Sequence, residues 1–214
     1  MLSQAEKGGV QNTIQNCVTV LQNDPILADS IRLNLLSERI DIVKPMGWQR
    51  SGPTLTDTDM MYILRRMEKY GLYSEKRVSA AIRIVANENH YHPIRDYLNE
   101  LKWDGTARIS RALHRFLGAA EDELTTEALK IFLLGAIKRV FHPGCKFEMM
   151  LCLVGGQGAG KSSFFRLLAI KDEWFSDDLR RLDDDNVFRK LQGHWIMEMS
   201  EMIATANAKS IEEI

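Results

Sequence analysis

The sequence predicts an α + α/β fold, in which a mainly helical N-terminal domain is followed by a parallel sheet with flanking helices. Apolar residues recur at helical spacing through most of residues 12–142. Residues 149–154 then form a short, continuous apolar run that ends at glycine, which is typical of a strand buried in a parallel sheet. We therefore divide the chain into a flexible leader (1–11), a mainly helical domain (12–142) and an α/β domain (146–214).

The composition excludes several classes of protein. The chain has 214 residues, of which 45% are hydrophobic and 27% charged, as expected of a globular protein. Lys and Arg total 28 against 29 Asp and Glu, so no overall basic excess indicates a nucleic-acid partner. Because no apolar run approaches the roughly 18 residues of a membrane span and no secretory signal opens the chain, we expect no membrane association and a cytoplasmic location.

The N-terminal domain begins with a predicted helix, which is followed by a stretch of ambiguous secondary structure. Apolar residues from Ile14 onward predict a helix that ends near Asp24 and Pro25. Residues 31–48 are ambiguous, with strand-like character at residues 40–43. The three cysteines are widely scattered and predict free thiols.

The helices that follow have recognisable ends. Thr56 and Asp59 form a capping-box pattern before an apolar helical face, and Gly71 can close that helix. Each of the later helices has one apolar face. These helices are predicted after Ser74, from Pro93, and over residues 107–117 and 126–141.

The α/β domain is predicted to alternate strands and helices. After the strand at 149–154, residues 161–169 read as a helix whose Phe164, Leu167 and Leu168 face inward. A short helix is predicted over 186–191 and a second strand over 195–199.

The strongest chemical signal lies between the first of these strands and its helix. The segment fits the pattern G-x-x-x-x-G-K-[ST] in full, and strand and helix flanks are the context that this phosphate-loop motif requires. Glycines let the backbone wrap around phosphate oxygens, and the helix N-terminus favours negative charge. The predicted nucleotide-binding residues are Gly155, Gly156, Gln157, Gly158, Ala159, Gly160, Lys161, Ser162 and Ser163.

The motif assigns separate roles to its last residues. Lys161 would contact the β- and γ-phosphates of ATP, and the Ser162 hydroxyl would bind Mg²⁺. The alternative, a glycine-rich turn that binds nothing, is harder to sustain because so many glycines weaken an ordinary turn.

A phosphate loop also requires a carboxylate on a neighbouring strand. Glu198 and Glu201 lie in and just after the second predicted strand, whose C-terminal end would emerge beside the phosphates. We predict that Glu198 binds the metal and that Glu201 orients the attacking water, although the two roles could be exchanged.

Several segments together resemble the virulence-associated protein E family of phage and mobile-element ATPases. These segments are LVGGQGAGKSSFFR (153–166), WFSD (174–177), LQGHWIME (191–198), HPIRDYL (92–98) and LKWDGTARI (101–109). The resemblance implies a P-loop NTPase related to superfamily 3 helicases, which hydrolyses ATP. It also implies a helicase- or primase-associated replication protein of a phage, prophage or mobile element, and a homo-oligomeric ring that acts on single- or double-stranded DNA.

The resemblance also implies later strands and a trans-acting arginine, for which little sequence follows Glu201. An arginine finger contributes about 10³–10⁵ in rate, so the chain is expected to be a C-terminally truncated ATPase that binds ATP but hydrolyses it poorly alone. The alternative is a non-catalytic module that binds DNA or a protein partner. A local basic stretch from Lys102 to Arg115, with Trp103 within it, is compatible with DNA contact and equally with a solvated helix face.

Overall fold

The computed structural model describes residues 2–4, 8–179 and 187–199. The chain divides into two units, Met1–Pro93 and Ile94–Ile214. The domain boundary predicted at residues 142–146 therefore falls inside the second unit. Among the described residues, no helix combines the length and the apolar character needed to cross a membrane.

The first unit combines helices with an antiparallel hairpin. Its elements are α1 (Ile14–Asn23), β1 (Ile31–Asn34), β2 (Arg39–Ile42), α2 (Asp57–Met67) and α3 (Glu75–Glu88). The hairpin pairs Ile31 with Ile42 and Asn34 with Arg39. Helix α3 packs against α1 and β1, and the core between them is aliphatic.

Local sequence signals predict the helix ends of this unit well. The predicted capping box is confirmed, because Thr56 Oγ1 accepts a hydrogen bond from the Asp59 amide and the Asp59 carboxylate accepts one from the Thr56 amide. Helix α1 ends before Asp24, as predicted. Helix α2 continues into a 3-10 turn that closes at Gly71 in the left-handed region, with φ 74°. Ser74 precedes α3 but makes no side-chain capping bond.

The second unit begins with three helices. They are α4 (Pro93–Glu100), α5 (Ile109–Leu117) and α6 (Glu123–Phe141). Helix α6 starts three residues earlier than predicted, because Asp122 caps it by accepting a hydrogen bond from the Thr125 amide at 2.8 Å. Helices α5 and α6 pack against each other.

A glycine in the middle of α6 has a packing reason. A Cβ atom on Gly135 would lie 2.2 Å from Cζ of the Phe147 ring, which is closer than any real contact. The ring of Phe147 therefore rests directly on the α6 backbone. This contact holds the chain that leads toward the phosphate loop against α6.

The remaining elements surround the predicted site. They are α7 (Lys161–Leu168), β3 (Phe175–Ser176), α8 (Val187–Leu191) and β4 (Ile196–Met197). Strands β3 and β4 pair in parallel, with Phe175 opposite Ile196 and Ser176 opposite Met197. The predicted helix at 186–191 and the predicted strand at 195–199 are thus found, although the strand is shorter.

Two predictions for this unit are wrong. Residues 149–154 form no strand in the described structure, and Val154 is 80% exposed where a buried strand was expected. An apolar run cannot form a strand without a partner edge, and the described sheet around the site consists only of β3 and β4. Leu167, predicted to face inward, is 76% exposed, whereas its neighbours Phe164 and Phe165 are buried. The parallel sheet predicted around the phosphate loop is therefore not observed beyond this one strand pair.

Candidate phosphate-binding site

The loop before α7 contains two backbone conformations that only glycine adopts easily. Gly158 has φ 80° and Gly160 has φ 83°, both in the left-handed region. A side chain at either position would be strained, so these two glycines are required by the shape of the loop. Gly160 then serves as the N-cap residue of α7.

The other two glycines of the loop have no such internal reason. Cβ atoms added to Gly155 or Gly156 would meet nothing within 4 Å, and neither backbone lies in the left-handed region. Within the described structure, neither packing nor backbone strain explains why these residues lack side chains. A group that approaches the backbone closely from outside would explain it.

The N-terminus of α7 has no side-chain cap. Gly160 cannot supply one, and the first turn of α7 contains no acidic residue. The amide of Phe164 donates to the Gly160 carbonyl at 2.9 Å, so the helix is formed from its first turn. The amides before Phe164 in that turn have no partner inside the helix, and they carry the positive end of its dipole. This is a suitable environment for an anion.

The ammonium group of Lys161 folds back onto the loop. Its Nζ donates to the carbonyl oxygens of Gly155 and Gly156, both at 2.8 Å. An ammonium group has three N–H donors, so one donor stays available while two hold the loop in its curved shape. A phosphate in the loop would compete with the two carbonyls for this charge.

Ser162 and Glu198 lie in direct contact. Ser162 Oγ donates to Glu198 Oε1 at 2.7 Å, and this bond joins the first turn of α7 to the end of β4. The amide of Glu198 donates to the Ser176 carbonyl at 2.8 Å, continuing the ladder between β3 and β4. The strand pair therefore determines where the Glu198 carboxylate lies.

The second carboxylate oxygen of Glu198 has no partner among the described residues. Glu198 Oε2 is buried and accepts no hydrogen bond in the described structure. A buried acceptor without a donor costs free energy, about 1–3 kcal/mol and more when charged, unless a bound group satisfies it. Glu198 thus combines one bonded and one unsatisfied oxygen beside the loop serine.

The oxygens of Ser162 and Glu198 are of the kind that binds Mg²⁺. The described residues contain no cluster of three or more His, Cys, Asp or Glu side chains. Mg²⁺ is commonly bound by one or two protein oxygens together with substrate phosphates and waters. The Ser162 hydroxyl and the unsatisfied Glu198 oxygen therefore fit Mg²⁺ that arrives with a phosphate ligand.

Two tryptophans next to β3 and β4 contact each other, and one of them also contacts α6. The Trp195 amide donates to the Trp174 carbonyl at 2.7 Å, and the two indole rings pack edge to face with centroids 6.3 Å apart. Trp195 Nε1 also donates to the Ala136 carbonyl in α6 at 3.2 Å. The sequence predicts no role in the site for either tryptophan, although both lie in segments that carry the family resemblance.

The predicted residues are thus placed as follows. All nine predicted nucleotide-binding residues and Glu198 belong to the described structure, and Lys161, Ser162 and Glu198 make the contacts given above. Gln157, Ala159 and Ser163 are exposed. Glu201 lies outside the described residues, so its predicted role stays a prediction.

The basic stretch from Lys102 to Arg115 is partly neutralised. Arg108 pairs with Asp104 at 2.5 Å, and Arg111 pairs with Glu121 at 3.1 Å. The Arg108 bond lowers the pKa of Asp104 well below its usual range. Trp103, in contrast, is 82% exposed, which is unusual for so large an aromatic side chain.

Comparison with known protein families shows which family the chain belongs to. The sequence model of the virulence-associated protein E-like domain matches residues 98–214, which is more than half of the chain. The protein therefore belongs to this family, as the quoted segments predicted. No curated protein matches the chain.

Proposed function

We propose that the chain binds ATP together with Mg²⁺ at the loop before α7. The observation that carries the proposal is the contact between Ser162 and Glu198 next to a complete phosphate-loop motif. Glu198 Oε2 is buried and has no hydrogen-bond partner among the described residues. The uncapped helix N-terminus and the open space around Gly155 and Gly156 support the same conclusion.

Each residue would have a distinct role in this site. The loop amides and the N-terminus of α7 would bind the phosphates, and Lys161 would exchange its carbonyl partners for phosphate oxygens. Ser162 and Glu198 would hold Mg²⁺, which neutralises charge on the β- and γ-phosphates when it is bound. Glu201 is proposed as the group that orients the attacking water, with the reverse assignment of the two glutamates as the alternative.

The cellular role is proposed by family analogy. The resemblance to the virulence-associated protein E family implies an ATP-hydrolysing, helicase-like replication protein of a phage or mobile element, assembled as a ring. Hydrolysis that is saturable in ATP and stimulated by single-stranded DNA would support this role. Absence of turnover in every condition would leave nucleotide binding without an ATPase function for this chain.

The binding proposal is tested by calorimetric titration of ATP with Mg²⁺. Wild type should bind, and Lys161→Ala should lose affinity by about 10- to 150-fold, as expected when a hydrogen bond to a charged group is removed. Lys171→Ala is the matched control, because it removes one lysine charge in the same unit, where Nζ lies 4.7 Å from the Trp174 ring centroid. Equal affinities for the wild-type and Lys161→Ala proteins would contradict the proposal.

A second candidate function is a non-catalytic module that binds single-stranded DNA. The observation that favours it is the exposed Trp103 next to Lys102, because exposed aromatic rings stack on bases and adjacent cations bind phosphates. Fluorescence anisotropy of a labelled oligonucleotide should show binding that Trp103→Ala weakens and Lys161→Ala leaves unchanged. Binding that is insensitive to Trp103→Ala would exclude this surface.

A further inference from the structure

Helix α7 contacts the strand pair at two points one helical turn apart. Ser162 and Arg166 are separated by four residues, so both side chains lie on one face of the helix. Ser162 reaches Glu198 after β4, as described. Arg166 reaches β3, where its guanidinium carbon lies 5.2 Å from the centroid of the Phe175 ring.

The register of the strands places these contacts on one side of the sheet. Phe175 pairs with Ile196 and Ser176 with Met197, so the next positions along the two strands are Asp177 and Glu198. Residues two apart in a strand share a face, and Phe175 therefore shares its face with Asp177. Helix α7 thus crosses the face that carries both acidic side chains.

Arg166 also lies near two carboxylates. Its Nη1 is 3.9 Å from Asp172 Oδ1, and its Nη2 is 3.8 Å from Asp177 Oδ2. These separations are too long for hydrogen bonds, and all three side chains are at least half exposed, so each ion pair alone contributes little. Together with the ring of Phe175, however, they surround the guanidinium with attractive partners on β3 and next to it.

An adjacent side of α7 is held by apolar packing. Phe165 packs edge to face with Phe132 of α6, with centroids 5.7 Å apart. That contact fixes the helix against α6 but does not define its separation from β3 and β4. Among the interactions described above, the polar contacts between α7 and the strand pair β3 and β4 are those of Ser162 and Arg166.

We propose that Arg166 is a positioning residue of the nucleotide site. Its guanidinium holds α7 against β3, and this keeps Ser162 within hydrogen-bonding distance of Glu198. The inference rests on the proposed function, because its consequence is that the Mg²⁺-dependent part of ATP affinity depends on Arg166. In this proposal Arg166 acts through the position of α7 and not by contact with the nucleotide or the metal.

The first test requires no nucleotide. Backbone hydrogen exchange in α7, including the Phe164 and Ala169 amides, should be about three- to tenfold faster in Arg166→Ala than in wild type. Arg166→Lys keeps a cation for the Phe175 ring and should lie between the two. Lys171→Ala, the matched control, should exchange like wild type. Unchanged exchange in Arg166→Ala would overturn the proposal.

The second test separates positioning from general phosphate binding. Calorimetric titration of ATP should show affinity in Mg²⁺ falling about three- to tenfold in Arg166→Ala, with affinity in EDTA unchanged. An equal loss in both conditions, or no loss in Mg²⁺, would contradict the proposal. If wild type fails to bind ATP, the proposed function fails, whereas hydrogen exchange still decides whether Arg166 positions α7.

Discussion

Two buried carboxylates of the first unit are bonded through both oxygens, whereas Glu198 of the second unit is not. Asp41 of the first unit resembles Glu198 in this respect, because its Oδ1 is buried and has no partner among the described residues. In the first unit, Asp59 accepts hydrogen bonds from Trp48 Nε1 at 2.7 Å and from Arg50 Nε at 2.8 Å. Asp24 likewise accepts from Arg66 and Tyr70. In the second unit, Glu198 has one bonded oxygen and one buried oxygen with no described partner.

This difference distinguishes carboxylates that stabilise the fold from a carboxylate that can bind a ligand. Burial alone would raise the pKa of Asp24 and Asp59, but the hydrogen bonds from their arginine partners and neighbours lower both pKa values overall. These carboxylates are already satisfied and have no capacity for a ligand. Glu198 has an oxygen without a described partner and, unlike Asp41, lies in contact with the phosphate-loop serine. The comparison therefore predicts large stability effects at Asp24 and Asp59 and mainly binding effects at Glu198.

The largest effect is expected from Asp24→Asn. The Asp24 side chain is fully buried, and the change leaves the Arg66 cation without its carboxylate. The free energy of unfolding, measured by urea titration with circular dichroism, should fall by about 3 kcal/mol. Asp29→Asn, which breaks an exposed pair with Lys44, should change it by less than about 0.5 kcal/mol. Equal effects of the two variants would show that burial of the pair is not decisive.

A smaller loss is expected from Gly135→Ala in the second unit. The added methyl group would overlap the Phe147 ring, and overpacking of this kind costs about 1–3 kcal/mol, which exceeds the gain in helix propensity. Gly52→Ala is the control, because its Cβ would meet nothing within 4 Å. Urea unfolding in which Gly135→Ala is at least as stable as wild type would contradict the close contact.

The pH dependence of stability should follow the first unit. Since the folded-state pKa values of Asp24 and Asp59 are lowered, their contribution is present above the unfolded value near 3.8 and is lost as the pH falls further. Unfolding midpoints in urea should therefore decline below about pH 4. The decline should be shallower in Asp24→Asn, and identical slopes would contradict the assignment.

The smallest stability effect is expected from Glu198→Gln. Glutamine keeps an oxygen that can accept from Ser162, and it replaces the unsatisfied charged oxygen with an amide. The free energy of unfolding should change by less than about 0.5 kcal/mol. A loss above about 2 kcal/mol would place Glu198 with Asp24 and Asp59 as a structural carboxylate.

The elements that the sequence predicts correctly depend on local signals. The capping box at Thr56 and the helix that starts at Pro93 depend on residues within one turn, and both are found. The strand predicted at 149–154 is not found in the described structure, because strand formation depends on a partner far away in sequence. The exposure of Leu167 was also missed, because periodicity cannot say which side of a short helix is covered.

In the candidate site, too, local features can be predicted from the sequence, whereas contacts between distant residues cannot. The motif predicts which loop residues matter, and the conformations of Gly158 and Gly160 are local to it. The contact between Ser162 and Glu198 and the approach of Arg166 to Phe175 require the pairing of β3 with β4. No periodicity or motif spacing specifies that pairing, so Arg166 had no sequence signal of its own.

The most direct test of the central claim is calorimetric titration of ATP into wild type and Glu198→Gln, each with Mg²⁺ and with EDTA. If Ser162 and Glu198 hold Mg²⁺ beside the phosphates, wild type should bind ATP more tightly with Mg²⁺. Glu198→Gln should lose that advantage while keeping its affinity in EDTA. An unchanged Mg²⁺ advantage in Glu198→Gln would contradict the claim, as would a wild-type protein that binds no ATP.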